Sequence, residues 1–143
     1  MRQPIAVLLF ILTLMPIWAT QALAADLEVT LTGIRNDAGS IRIAVLNRLT
    51  GFPDADNAVA LHKEPARPGS MTLHFTGLEP GRYALAVFHD EDDDGELQRL
   101  LGLIPLEGYA LSGNTGRMGP PSFGRMAFVL TDEGAAMTLP MRY

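Results

Sequence analysis

Cysteine is absent from all 143 residues. That excludes a disulfide framework, zinc ribbons, thiol nucleophiles and CxxC redox sites together. Basic residues are in the minority: 11 Lys and Arg stand against 16 Asp and Glu, for a formal charge of −5. A nucleic-acid binder draws its affinity mainly from Lys and Arg on phosphates, so no nucleic-acid partner is expected. Charged residues are only 19% of the chain and hydrophobic ones 48%, too apolar a mixture for a disordered protein. No internal repeat and no sustained helical periodicity is visible. The length allows one ordinary domain.

Long apolar runs are also missing, except at the start. Arg2 is followed by an apolar stretch from Ile5 to Trp18, broken by Thr13 and Pro16. Ala22-Leu23-Ala24 then places small residues where a signal peptidase needs them. The stretch is shorter than the roughly 20 residues of a spanning helix. Residues 1–24 therefore read as a cleaved signal peptide and residues 25–143 as a single exported domain, periplasmic or secreted. Removing 24 of 143 residues leaves 119, with no membrane span, and losing Arg2 makes the charge −6. A domain of that size buries about two thirds of its unfolded surface, enough for a core without disulfides.

What is present is period-two patterning. Leu27, Val29 and Leu31 alternate with Glu28, Thr30 and Thr32, the signature of a half-buried strand. Asn36-Asp37-Ala38-Gly39 is turn chemistry, and Ser40–Asn47 follows with Ile41, Ile43 and Val45 on one face. The two strands read as a hairpin. Gly51, Pro53, Pro65, Pro68 and Gly69 punctuate a long connection from Arg48 to Gly69, with a short helical turn expected near Asp54–Val59. Met71, Leu73 and Phe75 mark another strand, and Leu78-Glu79-Pro80-Gly81 a turn. Tyr83–Phe88 is continuously apolar, as expected of a central strand. Tyr109–Ser112 adds a strand, and 125–130 with 135–141 flank Asp132-Glu133-Gly134 as a final hairpin. About seven short strands with these turns predict an all-β antiparallel sandwich with Greek-key links.

The acidic segment His89-Asp90-Glu91-Asp92-Asp93-Asp94-Gly95-Glu96-Leu97 carries the clearest chemistry. Six of the seven residues from Asp90 to Glu96 are carboxylates. Like charges this close repel, and a hard dication would relieve them while collecting oxygen ligands. Calcium loops of the D-x-[DN]-x-[DN]-G type use positions 1, 3, 5 and 7, with Gly at 6 for a sharp turn. Asp90, Asp92, Asp94, Gly95 and the Glu96 carbonyl fill those places. Gln98 stands at position 9, for weak or water-mediated coordination. Leu101 stands where a full loop has a bidentate Glu, so a later carboxylate must complete the shell, and Glu107 is the nearest. The candidate calcium ligands are thus Asp90, Asp92, Asp94, Glu96, Gln98 and Glu107. Oxygen donors favour calcium or magnesium over zinc or copper.

Three further stretches, with this loop, carry a resemblance: Leu78–Phe88 running into His89-Asp90-Glu91-Asp92; Leu103–Tyr109 followed by Ser112-Gly113-Asn114; and Gly119-Pro120-Pro121-Ser122-Phe123. The turn Gly51-Phe52-Pro53 fits as well. Together they resemble the bacterial family called domain of unknown function 2141. The resemblance implies a small exported immunoglobulin-like, or prealbumin-like, β-sandwich with no assigned activity. It also implies an acidic or Asn-rich loop after the His-Asp pair, often with Asp where this chain has Gln98.

Other groupings are weaker. The Gly- and Pro-rich segment Ser112–Gly124 either presents Arg117, Met118 and Phe123 to a partner or covers one end of the sandwich, and if it shares an edge with the acidic loop, Arg117 can pair with spare carboxylates. Ser112, Ser122, His62, His74 and His89 could supply a hydrolase, but no G-x-S-x-G elbow exists. Met71, Met118, Met126, Met137 and Met141 raise copper, although strand-alternating Met is usually core filler. The expectation is a non-enzymatic binding or structural module of the cell envelope, its partner an envelope protein or a glycan, with a calcium-stabilised loop. The alternative is a small periplasmic copper carrier or hydrolase built on His89.

Overall fold

The computed structural model describes residues 24–48, 58–101, 104–113 and 121–143. The signal peptide, the Gly51-Phe52-Pro53 turn, most of the helical turn expected near residue 54, and Arg117 and Met118 lie outside them.

Ten strands and one short helix make up the described residues: β1 (Ala25–Ile34), β2 (Ser40–Leu46), β3 (Ala58–Pro65), β4 (Gly69–Leu78), β5 (Gly81–Asp90), β6 (Arg99–Leu100), β7 (Ile104–Pro105), β8 (Gly108–Leu111), α1 (Phe123–Met126), β9 (Phe128–Leu130) and β10 (Ala135–Pro140). One sheet has the order β10-β1-β4 and a second β3-β2-β5-β8, with β9 also paired to β5, while β6 and β7 pair as a separate two-stranded sheet. Period-two alternation places Leu27, Val29 and Leu31 of β1 with Leu73 and Phe75 of β4 on one inner face. Ile41, Ile43 and Val45 of β2 with Leu85 and Val87 of β5 form the other, and the two faces share one buried cluster. The chain is a β-sandwich, as its patterning predicts. Buried Met71, Met126 and Met141 are part of the packed interior. Among the described residues no helix is long and apolar enough to cross a membrane.

Three local expectations are corrected. The first two strands do not form a hairpin: β1 pairs with β4 and β10, whereas β2 pairs with β3 and β5. Arg35–Gly39 is an arch between sheets. Turn residues read the same in sequence whether they join neighbouring strands or bridge the roughly 10 Å between two layers. Gly39 makes the arch possible. It sits at φ +58°, and a Cβ there would collide with the backbone of Asp90 and Glu91.

The long connection after Arg48 contains a strand. β3 is an edge strand whose inward positions are Ala58, Ala60, His62 and Glu64, while Val59 and Leu61 face outward, 45% and 65% exposed. The large apolar residues, Val59 and Leu61, point away from the core, so alternation alone could not reveal it. The final pair is not a hairpin either. β9 joins β5, while β10 crosses to lie parallel to β1, leaving one bridge between Thr131 and Gly134. Tight-turn chemistry again marks a change of sheet.

Register sets the stage for the loop. β5 and β8 are antiparallel with His89 opposite Gly108. The next position outward on each strand puts Glu107 beside Asp90, although 16 residues intervene between them. On the other flank of β5, Ser40 is opposite Asp90.

Candidate functional site

The central strand ends by burying two polar residues. His89 and Asp90 are both fully buried. The Asp90 Oδ2 atom accepts hydrogen bonds from Arg42 Nε at 2.5 Å and from the Gly95 N–H at 3.0 Å. Its Oδ1 atom is buried with no hydrogen-bond partner. An ionised oxygen in that condition is costly unless something of opposite charge reaches it.

Two other carboxylates stand close. Asp90, Asp92 and Glu107 each offer an oxygen within 4.8 Å of the other two. Oxygens sharing one calcium at 2.3–2.6 Å are at most about 5 Å apart, so the spacing suits a single hard cation. Asp92 is exposed, while Glu107 is buried at 5% exposure. Glu107 also stitches the loop together: Oε1 accepts the Glu91 N–H at 2.9 Å and Oε2 the Gln98 N–H at 3.1 Å. Each oxygen keeps a lone pair for an ion.

The remaining loop positions have distinct places. Gly95 takes φ +88°, the sharp turn expected of it. The Asp94 carboxylate caps the Glu96 N–H at 2.7 Å and stands outside the group of three. Glu96 is exposed. Gln98 donates its side-chain amide to Asp92 Oδ2 at 2.5 Å, and turning that amide over would present its oxygen instead.

Three cations that sequence reasoning missed hold the loop from outside. Arg42 on β2 takes Asp90, Lys63 on β3 takes Asp93 at 3.0 Å, and Arg35 in the arch clasps Glu91 with two bonds of 2.6 and 2.5 Å. The Ser40 hydroxyl also donates to Asp93 at 2.6 Å. The bond from Ser40, then that from Lys63, draws the Asp93 carboxyl below its usual range. The hydrogen bond from Arg35 likewise lowers the Glu91 carboxyl below its ordinary 4.5. None of these cations carries a sequence signal, because each reaches its carboxylate from a different element: β2, β3 or the arch.

The lowered Glu91 value fixes a sign. Its folded pKa is below its unfolded one, so the pair's stabilisation is complete above about pH 4.5 and is lost as pH falls through the folded value. Glu91→Gln is expected to cost about 0.5–1 kcal/mol at pH 6, discounted because the Arg35 side chain is 44% exposed. The gap between wild type and variant should close toward pH 3. Urea denaturation in chelator at both pH values measures it, and a gap that persists unchanged at pH 3 contradicts the assignment.

His89 is committed to its surroundings. The Ala38 carbonyl can only accept, so His89 Nε2 donates to it at 2.7 Å. Nδ1 lies within hydrogen-bond distance of the Tyr143 hydroxyl, at 2.8 Å, and that oxygen accepts the Arg35 N–H at 3.1 Å. Burial raises the Tyr143 hydroxyl pKa, keeping it a donor. Ser112 is buried too; its hydroxyl accepts the Leu85 N–H and donates to the Met126 carbonyl, both at 2.7 Å. Leu85 and His89 are four residues apart on β5, about 13 Å along a strand. The two side chains serve different ends of the sheet.

The model of a bacterial family, described as "Uncharacterized protein conserved in bacteria (DUF2141)", matches residues 29–138. The chain belongs to that family. The match runs from β1 to β10 and includes the acidic loop, Glu107 and the arch. No curated protein and no solved structure matches the chain.

Proposed function

We propose that this member of the family is an exported β-sandwich module of the cell envelope whose acidic loop is ordered by a bound divalent cation, calcium in preference to transition metals. The observation that carries the reading is the buried, unpartnered Oδ1 of Asp90 beside the oxygens of Asp92 and Glu107. A hard cation would satisfy that atom and offset the repulsion among three carboxylates. Asp94, Glu96 and Gln98 line the approach and would contribute carbonyl, amide or water-mediated contacts. Export rests on the Arg2, Ile5–Trp18 and Ala22-Leu23-Ala24 pattern. The ion acts on structure: it fixes the loop between β5 and β8 and so preorganises this end of the sandwich for binding.

Calorimetric titration of the mature domain with calcium tests the reading. Wild type should bind with a dissociation constant in the range of about 10⁻⁶ to 10⁻³ M. Asp92→Asn keeps the shape of an exposed residue, so in chelator its stability should stay within about 0.5 kcal/mol of wild type. Its calcium affinity should fall at least tenfold. Absence of heat in wild type, or an isotherm that Asp92→Asn leaves alone, removes the ion from the site.

A further inference from the structure

The acidic loop leads directly into a hairpin whose outer side chains lack a core to bury in. β6 and β7 pair through Arg99 with Pro105 and Leu100 with Ile104. Leu100, Leu101, Ile104 and Leu106 are 51%, 88%, 59% and 52% exposed. Scattered surface leucines are ordinary, but here four aliphatic side chains fall within seven residues, and alternation along the paired strands sets Leu100, Ile104 and Leu106 on one face.

The hairpin is bonded to the candidate ion site at its root. The Leu106 N–H donates to the Gln98 carbonyl at 2.9 Å, closing the base. At that base Glu107 holds the Gln98 N–H, and the Gln98 amide reaches Asp92. Two of the three carboxylates that would share an ion therefore also set the position of the hairpin.

Charge chooses the occupant. Arg42, Arg35 and Lys63 are each engaged with a carboxylate, namely Asp90, Glu91 and Asp93. The hairpin's own cation, Arg99, stands opposite Pro105 and by strand alternation lies on the other face from Leu100 and Ile104. Among the described residues Asp92, Asp94 and Glu96 have no ion pair, and Asp94 and Glu96 remain so after Asp92 has taken an ion. An apolar patch with an acidic rim repels anionic lipid and repels a second copy of this acidic chain. It complements a surface that sets Lys or Arg beside apolar side chains.

We infer that the exposed side chains of Leu100, Leu101, Ile104 and Leu106 are the docking surface for a basic, apolar-faced segment of another protein, and that the ion at Asp90, Asp92 and Glu107 holds them ready for it. This rests on the cation reading above. The ion would lower the ordering cost of binding, so partner and calcium would each strengthen the other's affinity by the same factor.

The test uses the mature domain, a synthetic helical peptide of Lys and Leu, and a peptide of equal length with Glu in place of Lys. In calcium, wild type should bind the Lys-Leu peptide at least tenfold more tightly than the Glu-Leu peptide. Leu101→Ser with Ile104→Ser should weaken that binding at least tenfold, while Leu61→Ser, on exposed β3, should leave it alone. Chelator should weaken wild-type binding several-fold. Equal peptide binding by the hairpin double variant overturns the surface, and indifference to chelator overturns the coupling. Binding of phosphatidylglycerol vesicles in place of the peptide overturns the choice of partner. So does a dimer, seen by sedimentation, that the double variant abolishes. Calcium heats on the double variant separate the two levels. Heat without peptide binding removes this inference alone, whereas no heat in wild type removes the ion reading beneath it.

Discussion

Glu107→Ala is expected to abolish measurable calcium binding and to destabilise the domain even in chelator. The first effect follows from losing the only buried ligand carboxylate other than Asp90 among the three. The second follows from the Glu91 and Gln98 N–H groups, which lose their acceptor. Each such loss costs about 1–2 kcal/mol, for a total of about 2–4 kcal/mol. Glu107→Gln separates the effects. Its amide oxygen can still accept one of the two bonds, so about half the stability should return while calcium affinity stays at least tenfold reduced. Urea denaturation in chelator and calorimetry in calcium measure the two losses. A Glu107→Gln variant that binds calcium like wild type would move the ion elsewhere.

The second large effect is expected at His89. His89→Leu preserves bulk in a fully buried position but leaves the Ala38 carbonyl and the Tyr143 hydroxyl without their partner. A cost of about 2–4 kcal/mol is expected from two disrupted bonds and imperfect packing. Calcium affinity should change by less than about threefold, since both ring nitrogens already serve the arch and Tyr143. Thermal melts and calorimetry on the same samples check both statements. Loss of metal binding with stability intact would favour a carrier built on His89, the alternative that the histidine's place beside Asp90 suggested.

How much of this was legible in the sequence depends on whether the signal was local. Leu27-Val29-Leu31 and Met71-Leu73-Phe75 announce their strands because each buries one face, and period two records that directly. β3 does not, because it lies at an edge and turns Val59 and Leu61 outward. Turn residues mark where the chain bends but not which sheet it enters next, so Asn36–Gly39 and Asp132–Gly134 both read as hairpins.

The site divides the same way. Asp90, Asp92 and Gly95 were visible through spacing within one loop. Glu107 could be nominated only as the next carboxylate along; the β5–β8 register is what places it beside Asp90. Arg35, Arg42 and Lys63 were illegible, because each meets its carboxylate from another strand or from the arch. Asp94 matched the loop pattern equally well, yet its side chain caps the Glu96 N–H. A strand-to-strand loop returns along β8, so the third carboxylate of the group comes from the residue just before that strand and not from position 12 of a continuous loop.

The most direct measurement of the ion's role is amide hydrogen exchange at Glu91 and Gln98, the two N–H groups that Glu107 holds. With calcium at about one hundred times its dissociation constant, opening of the loop against the ion should be suppressed about a hundredfold, and exchange at both positions should slow accordingly. Exchange that is equally fast in calcium and in chelator would mean that Asp90, Asp92 and Glu107 hold the loop without an ion.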